Sequence, residues 1–166
     1  MKCRIVVLCA LFAGFAATAM AQFQGQVPAQ AAGSFTIQCN PNLVSYLFAP
    51  TEAVETYLCQ TSATINGVAF KNLSLSQVSQ GNSASATEAR DWGVMVGTLA
   101  NGDEIFFEYQ DATRRVGSTG VTGTMSYKIV GGTGSASGIT GSGNCNMTGT
   151  VGKGNEQSCT GTYALR

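Results

Sequence analysis

The chain contains no histidine, and this absence excludes several common kinds of active site. Ser-His-Asp and Cys-His catalysis both depend on an imidazole base, and imidazole is a principal ligand of catalytic zinc. The cysteines offer no alternative metal site, because none of them form the close C-x-x-C pairs that such sites use. The sequence therefore predicts no catalytic triad, no metal and no other cofactor.

Charged residues are also scarce, at 11% of the chain, and nine Lys and Arg are balanced by nine Asp and Glu. Binding to nucleic-acid phosphates or to anionic membranes requires a basic excess, which this chain lacks. Glycine is plentiful, but Gly132-x-Gly134 is followed by Ser137 where a dinucleotide fingerprint needs glycine. We therefore expect no nucleic-acid partner and no phosphate-binding loop.

The first 21 residues have the pattern of a secretory signal peptide. Lys2 and Arg4 supply a cationic start, residues 5–15 are almost wholly apolar, and residues 19–21 form an Ala-x-Ala cleavage site. The apolar stretch is shorter than the roughly 20 residues that a membrane-spanning helix needs. We therefore expect a secreted or periplasmic protein with no membrane span after signal removal. The predicted division is residues 1–21 as signal peptide, 22–33 as flexible leader and 34–166 as one domain.

Four cysteines follow the signal segment, and an even number in an oxidising compartment predicts two structural disulfides. They are Cys39, Cys59, Cys145 and Cys159, for which three pairings are open. Cys145 and Cys159 are equidistant from residue 152, where glycines predict a turn. These two cysteines can therefore face each other across a hairpin, close enough to bond.

Alternation of apolar and polar residues, which is typical of β-strands, runs through the rest of the chain. Asn66-Gly67 and residues 101–103 (Asn-Gly-Asp) predict tight hairpin turns. Residues 51–58 predict one helical turn, residues 40–42 predict the end of the first strand, and residues 79–91 predict a loop or an edge strand. The predicted strands are Ser34–Cys39, Thr56–Ile65, Val68–Val78, Trp92–Leu99, Glu104–Tyr109 and Thr124–Val130, followed by two that carry Cys145 and Cys159.

Most of the 21 glycines lie between residues 117 and 161, and the alternation persists through them. Glycines inside strands mark bulges and corners where a sheet curves. The sequence shows no repeat of fixed length, which argues against propellers and solenoids. We therefore predict an all-β fold, a single antiparallel barrel of about eight strands, with a β-sandwich as the alternative.

The C-terminal half resembles a known group of barrels. The likeness covers roughly residues 91–163 and is carried by residues 101–106 (Asn-Gly-Asp-Glu-Ile-Phe), 127–134 (Tyr-Lys-Ile-Val-Gly-Gly-Thr-Gly) and 138–143 (Gly-Ile-Thr-Gly-Ser-Gly). In these segments the chain looks like allene oxide cyclase-like and dirigent-like proteins, a group with many bacterial exported members. The resemblance implies a calycin-like barrel of about eight strands, often assembled as a dimer or trimer. It carries over no active site, because Ala136 stands where the family pattern usually has a bulky aromatic residue.

An eight-stranded barrel is either filled by its side chains or holds one small ligand. Asp111, with Arg114 and Arg115, marks either a polar barrel mouth or a charged loop. The candidate ligand-binding residues are four aromatic side chains that can line a small apolar cavity, namely Trp92, Phe107, Tyr109 and Tyr127.

These features favour a non-enzymatic exported barrel that binds a small apolar ligand or a partner protein. The first alternative is a cofactor-free enzyme that steers an apolar intermediate, as the resemblance to cyclases and dirigent-like proteins implies. Such an enzyme needs an ionisable group inside the cavity. The second alternative is a structural role as a homo-oligomer.

Overall fold

The computed structural model describes residues 30–49, 52–80, 87–151 and 153–166. The predicted signal peptide and most of the predicted leader lie outside these residues. The described residues form almost only strands and turns, with one 3₁₀ turn at Gly134–Ala136, and none of their helical structure is long and apolar enough to cross a membrane. The strands are β1 Gln30–Ala49, β2 Glu52–Thr61, β3 Thr64–Ile65, β4 Val68–Gln80, β5 Glu88–Leu99, β6 Glu104–Val116, β7 Gly120–Gly132, β8 Thr140–Thr150 and β9 Gly154–Ala164.

Eight of these strands close into one antiparallel barrel. Around the ring the order is β1, β9, β8, β7, β6, β5, β4 and β2, and β2 pairs again with β1. The short β3 lies outside the ring and pairs with β4. The predicted barrel is confirmed and the sandwich alternative is wrong, because the β2–β4 ladder joins what would otherwise be two free sheet edges.

Asparagine and glycine at the predicted turns let the chain reverse direction between strands. Asn66 and Gly67 have φ values of 50° and 80°, so both adopt the left-handed conformation that a two-residue hairpin turn of type I′ requires. Gly102 has a φ of 91° in the turn between β5 and β6. Both turns lie where the sequence predicts them.

Side chains alternate between the barrel interior and the outer surface. In β5, Asp91, Met95 and Leu99 are buried, whereas Trp92 and Val94 are exposed. Fully burying one large apolar side chain contributes about 1.5–3 kcal/mol, so the inward rows supply the main force that holds the barrel closed.

Two disulfides lie inside the barrel, and both join directly opposed residues of neighbouring strands. Cys39 bonds Cys59 between β1 and β2, with Cα atoms 4.1 Å apart. Cys145 bonds Cys159 between β8 and β9, with Cα atoms 4.0 Å apart. The prediction of two disulfides is confirmed, and so is the hairpin pairing of Cys145 with Cys159.

The first strand is longer at both ends than the sequence predicts. It begins at Gln30, so residues 30–33 of the predicted leader pair with β9. It also continues through residues 40–42, where an end was predicted. The ladder between β1 and β9 ends at Cys39, so β1 has one unpaired edge at Pro41. Pro41 is tolerated because a residue at an unpaired edge does not need the N–H that proline lacks.

The predicted helical turn at residues 51–58 is wrong. Residues 52–61 form β2, which is paired on one side with β1 and on the other with β4. Helix propensity is a weak local preference, and two complete ladders override it. Residues 88–91, predicted as loop or edge, belong to the central strand β5, and β6 extends to Val116 rather than ending near Tyr109.

Candidate functional site

The barrel interior is divided along its axis into an apolar half and a polar half. The apolar half lies toward the β5–β6 turn at residues 100–103. The polar half lies toward the β6–β7 turn at residues 117–119. The division follows from the inward positions of β6, where Ile105, Phe107 and Tyr109 are succeeded by Asp111 and Thr113.

The apolar half is almost completely filled by its own side chains. The rings of Phe107 and Tyr127 pack edge to face with centroids 6.0 Å apart, and Phe35 packs against Tyr127 at 6.3 Å. The remaining space, bordered also by Met95 and Ile129, is only 40 Å³. A single water occupies roughly 10–15 Å³ on this measure, so this half has no room for a ligand of ordinary size.

Close packing around Tyr127 is made possible by glycine on the opposite strands. A Cβ atom at Gly143 or at Gly161 would collide with the Tyr127 hydroxyl. These two glycines face the interior of β8 and β9 and leave the space that the tyrosine ring fills. Burial raises the pKa of the Tyr127 hydroxyl to about 12.

The polar half contains a cavity of 370 Å³, which falls within the usual size of small-molecule sites, about 300–1,000 Å³. Its walls come from inward-facing positions on strands all around the barrel. The polar side chains that line it include Glu55, Tyr57, Gln77, Ser79, Asp91, Asp111, Thr113, Asn155 and Gln157. Leu75, Val121 and Met147 supply apolar contact in the same cavity.

Two aspartates from neighbouring strands face each other in this cavity. Asp91 on β5 is the direct cross-strand partner of Asp111 on β6, and Ser79 on β4 is the partner of Asp91 on its other side. Ser79 and Asp111 both form hydrogen bonds with the Asp91 carboxyl group. Asp91 is only 7% exposed, and the Oδ1 atoms of both aspartates are buried without a hydrogen-bond partner.

Burial and mutual repulsion make the aspartate pair retain a proton. Desolvation, followed by the charge of Asp91, raises the pKa of Asp111 to about 8. Desolvation also raises the pKa of Asp91, although its hydrogen bonds with Ser79 and Asp111 oppose this effect. Because two adjacent carboxyl groups resist ionising together, the pair holds one shared proton near neutral pH.

A chain of hydrogen bonds forms a second row of the cavity, next to the aspartate row. The Tyr109 hydroxyl donates to the Gln77 Oε1 atom at 2.8 Å, and the Gln77 amide donates to Glu55 at 3.0 Å. Tyr57 donates to the same Glu55 oxygen at 2.7 Å. Burial is the largest cause that raises the pKa of the Tyr57 and Tyr109 hydroxyls above the ordinary range, so both act as hydrogen-bond donors at neutral pH.

Gln157 on β9 contributes another unsatisfied acceptor to the cavity. Its side chain is 2% exposed, and its amide nitrogen donates to Asn155 at 3.0 Å and to the Cys39 sulfur at 3.9 Å. Its Oε1 atom has no hydrogen-bond partner. A buried acceptor left unpaired costs about 1–3 kcal/mol, so the cavity concentrates several unfavourable groups in one place.

The four aromatic candidates from the sequence do not come together. Phe107, Tyr109 and Tyr127 all lie inside the barrel. Phe107 and Tyr127 belong to the filled apolar half, and only Tyr109 reaches the polar half, where its hydroxyl donates to Gln77. The expectation that Trp92 lines the interior is wrong. Trp92 is 43% exposed and borders a hollow on the outer surface, because the inward positions of β5 are odd-numbered.

Of the polar side chains that line the cavity, only Asp111 is among the residues that the sequence singles out. The small polar residues of 79–91 predict a loop or an edge strand, and this prediction hides the inward position of Asp91. The alternation of inward and outward side chains would have identified both aspartates. Asp91 lies four residues before the inward Met95, and Asp111 lies two residues after the inward Tyr109, so both side chains point inward. Of the two interpretations left open for Asp111, the polar barrel mouth is correct and the charged loop is wrong.

Within the described part of the chain, no group of three or more His, Cys, Asp or Glu residues is arranged to hold a metal ion. Comparison of the chain with models of protein families, with curated proteins and with solved structures gave no match. A closed barrel by itself serves many unrelated functions, so the function has to be argued from the cavity.

Proposed function

We propose that this protein is an exported, non-enzymatic barrel that binds a small molecule in the polar cavity. The observation that carries the proposal is a 370 Å³ interior cavity in which buried oxygens of Asp91, Asp111 and Gln157 lack hydrogen-bond partners. A ligand with hydrogen-bond donors would meet a cavity lining rich in acceptors, including both aspartates and Gln157. Export is supported by the signal-like amino terminus and by the two disulfides, which are typical of oxidising compartments.

The proposal changes the kind of ligand expected from the sequence. A wholly apolar ligand would need the apolar half, which has only 40 Å³ of free space. The larger space lies among polar side chains, with Leu75 and Met147 as apolar contacts. The ligand is therefore a molecule that combines polar donors with a small apolar body.

A matched pair of variants on β6 tests this proposal. Thr113 faces the cavity, whereas its neighbour Ala112 is exposed on the outer surface. We expect Thr113→Trp to fill the cavity and Ala112→Trp to leave it open. Ligand-observed NMR with a fragment library containing neutral, cationic and anionic compounds measures binding to each protein.

Binding to the wild type and to Ala112→Trp, with loss in Thr113→Trp, would support the cavity as the site. Circular dichroism and thermal unfolding establish that both variants are folded. Fragments that bind all three proteins equally, or a library from which none binds the wild type at millimolar concentration, would refute the proposal. Mass spectrometry of compounds that co-purify with the protein would then identify the natural ligand.

A cofactor-free enzyme is the second candidate, and the aspartate pair is the specific observation that favours it. A pair that shares one proton contains a general acid and a general base side by side. The enzyme hypothesis from the sequence required an ionisable group inside the cavity, and Asp91 and Asp111 meet that requirement. Conversion of a co-purified compound by the wild type, lost in Asp91→Asn and in Asp111→Asn while binding remains, would favour catalysis over simple binding.

A further inference from the structure

Several hydrogen-bond donors of the polar half are already engaged with protein acceptors. The hydroxyls of Tyr57 and Tyr109 donate to Glu55 and Gln77, and the amide of Gln77 donates to Glu55. The Gln157 amide donates to Asn155, as described above. Among the described residues that line the cavity there is no Lys or Arg. The cavity therefore offers little to an anion or to a ligand that brings only acceptors.

The acceptors in the same cavity are in excess. The three buried oxygens without partners belong to Asp91, Asp111 and Gln157, and the first two are carboxyl oxygens. Glu55 adds a third carboxyl group at the same end of the barrel. Carboxyl groups attract positive charge, and Tyr57, which lines the cavity, has an aromatic ring of the kind that also attracts cations.

We propose that the cavity selects a small organic cation, with a protonated amine placed at the Asp91–Asp111 pair and an apolar body against Leu75 and Met147. This inference deepens the proposed function, on which it rests, by naming the ligand class. An ammonium group matches the cavity because it has three N–H donors, one positive charge and no acceptor. A neutral alcohol of the same shape brings one donor and no charge.

An organic cation fits this site better than a metal ion. The carboxyl groups are not grouped as a set of three or more metal ligands in the described residues. Mg²⁺ and Ca²⁺, the cations that prefer oxygen ligands, need six or more of them at short distances. A cavity of 370 Å³ with apolar walls on one side instead suits a molecule that has both a charged end and a carbon skeleton.

The shared proton links binding to pH. The charge of Glu55 on β2 raises the pKa of both aspartates. The aspartates in turn raise the pKa of the Tyr57 and Tyr109 hydroxyls. The non-titrating side chains around the pair are Ser79, Gln77 and Gln157. Arg115, farther along β6, already takes part in an interaction of its own. A cation bound at the pair replaces the proton, so one proton is released, and affinity rises with pH up to the pKa of Asp111, about 8.

The experiment compares three probes of one shape: benzylammonium, benzyl alcohol and benzoate. Isothermal titration calorimetry at constant ionic strength measures each probe against the wild type at pH 6, 7 and 8. We expect benzylammonium to bind at least tenfold more tightly than benzyl alcohol at pH 8, and benzoate to bind most weakly. The affinity for benzylammonium should rise several-fold per pH unit, and release of one proton sets an upper limit of about tenfold per unit.

Two variants assign the effect to the aspartates. Asp111→Asn keeps one carboxylate and removes the titrating proton, so benzylammonium should still bind but with a flat pH profile. Asp91→Asn/Asp111→Asn should lose the preference for benzylammonium over benzyl alcohol. Glu108→Gln, on the exposed outer face of β6, is the matched charge control and should behave as the wild type.

The cation inference would be overturned if benzyl alcohol or benzoate bound the wild type as tightly as benzylammonium or more tightly. If Thr113→Trp abolished that binding, the proposed function would remain intact. A wild-type affinity for benzylammonium that does not change with pH would overturn it as well. Absence of binding by all three probes would reject the inference too, and the fragment comparison between Thr113→Trp and Ala112→Trp would decide separately whether the cavity binds any ligand. The wild-type comparisons remain decisive even if a variant fails to fold.

Discussion

Replacing Asp111 by asparagine should make the barrel more stable at pH 8 while changing little at pH 4. The folded protein holds a proton at Asp111 because burial, together with the nearby Asp91 and Glu55 charges, raises its pKa from 3.8 to about 8. The unfolded chain releases that proton near pH 4. Between these two values the folded state binds more protons than the unfolded state, so the stability of the wild type falls as pH rises.

The magnitude follows from this difference in bound protons. One extra proton in the folded state lowers the free energy of unfolding by at most about 1.4 kcal/mol per pH unit. Because Asp111 is partly exposed and coupled to Asp91, we expect a smaller total, about 2–4 kcal/mol between pH 5 and pH 8. Asparagine has a similar shape, donates an N–H to Asp91 in place of the shared proton, and carries no charge at any pH in this range.

Urea unfolding at constant ionic strength, with the disulfides intact, measures the free energy of unfolding at each pH. Glu108→Gln is the control, because Glu108 is exposed on the outer face of the same strand and its loss should leave the pH profile unchanged. The reasoning fails if the wild type is equally stable at pH 5 and pH 8. It also fails if Asp111→Asn keeps the wild-type slope, since the titrating proton would then reside elsewhere.

Two further predictions concern the parts of the barrel that hold the cavity in place. Replacing Cys145 and Cys159 together by alanine should lower the free energy of unfolding by about 3 kcal/mol, because the disulfide closes a loop of 14 residues in the unfolded chain and so reduces its entropy. Urea unfolding measures this free energy. A loss below about 1 kcal/mol would contradict the explanation from chain entropy. Gly161→Ala should cost about 1–3 kcal/mol through collision with the Tyr127 hydroxyl, and Tyr127→Phe in the same chain should recover part of that loss. Gly131→Ala, where the nearest atom would lie 3.9 Å from the new Cβ, is the control and should be nearly neutral.

The strands and turns of this protein are predictable from sequence because each obeys a local rule. Alternation over residues 104–109 and 124–130 needs only one buried and one exposed face, and Asn66-Gly67 needs only its own backbone preference. The hairpin disulfide belongs to the same class, since two cysteines equidistant from a turn meet whenever the hairpin forms.

The predictions from sequence are wrong where pairing with a strand that is distant in the sequence determines the local structure. Residues 52–58 have a plausible helical composition, and only the ladders with β1 and β4 make them a strand. The interior position predicted for Trp92 rests on its residue type rather than on its place in the alternation, and Met95 three residues later fixes the opposite orientation. The contact of Asp91 with Asp111 depends on the register between β5 and β6, which a loop assignment for residues 79–91 concealed.

The contrast between the two halves of the interior argues that the polar cavity is a functional feature. The same barrel fills its apolar half to within 40 Å³, so its glycine-rich strands do not prevent close packing. At the other end it leaves 370 Å³ and places Asp91, Asp111 and Gln157 there with unpaired buried oxygens. Leucine or methionine at the two aspartate positions would occupy part of that space and remove the desolvation cost of the carboxyl groups. Sequences depart from such local rules chiefly at functional sites, so a ligand bound among these side chains, as we propose, accounts for the departure better than a purely structural role.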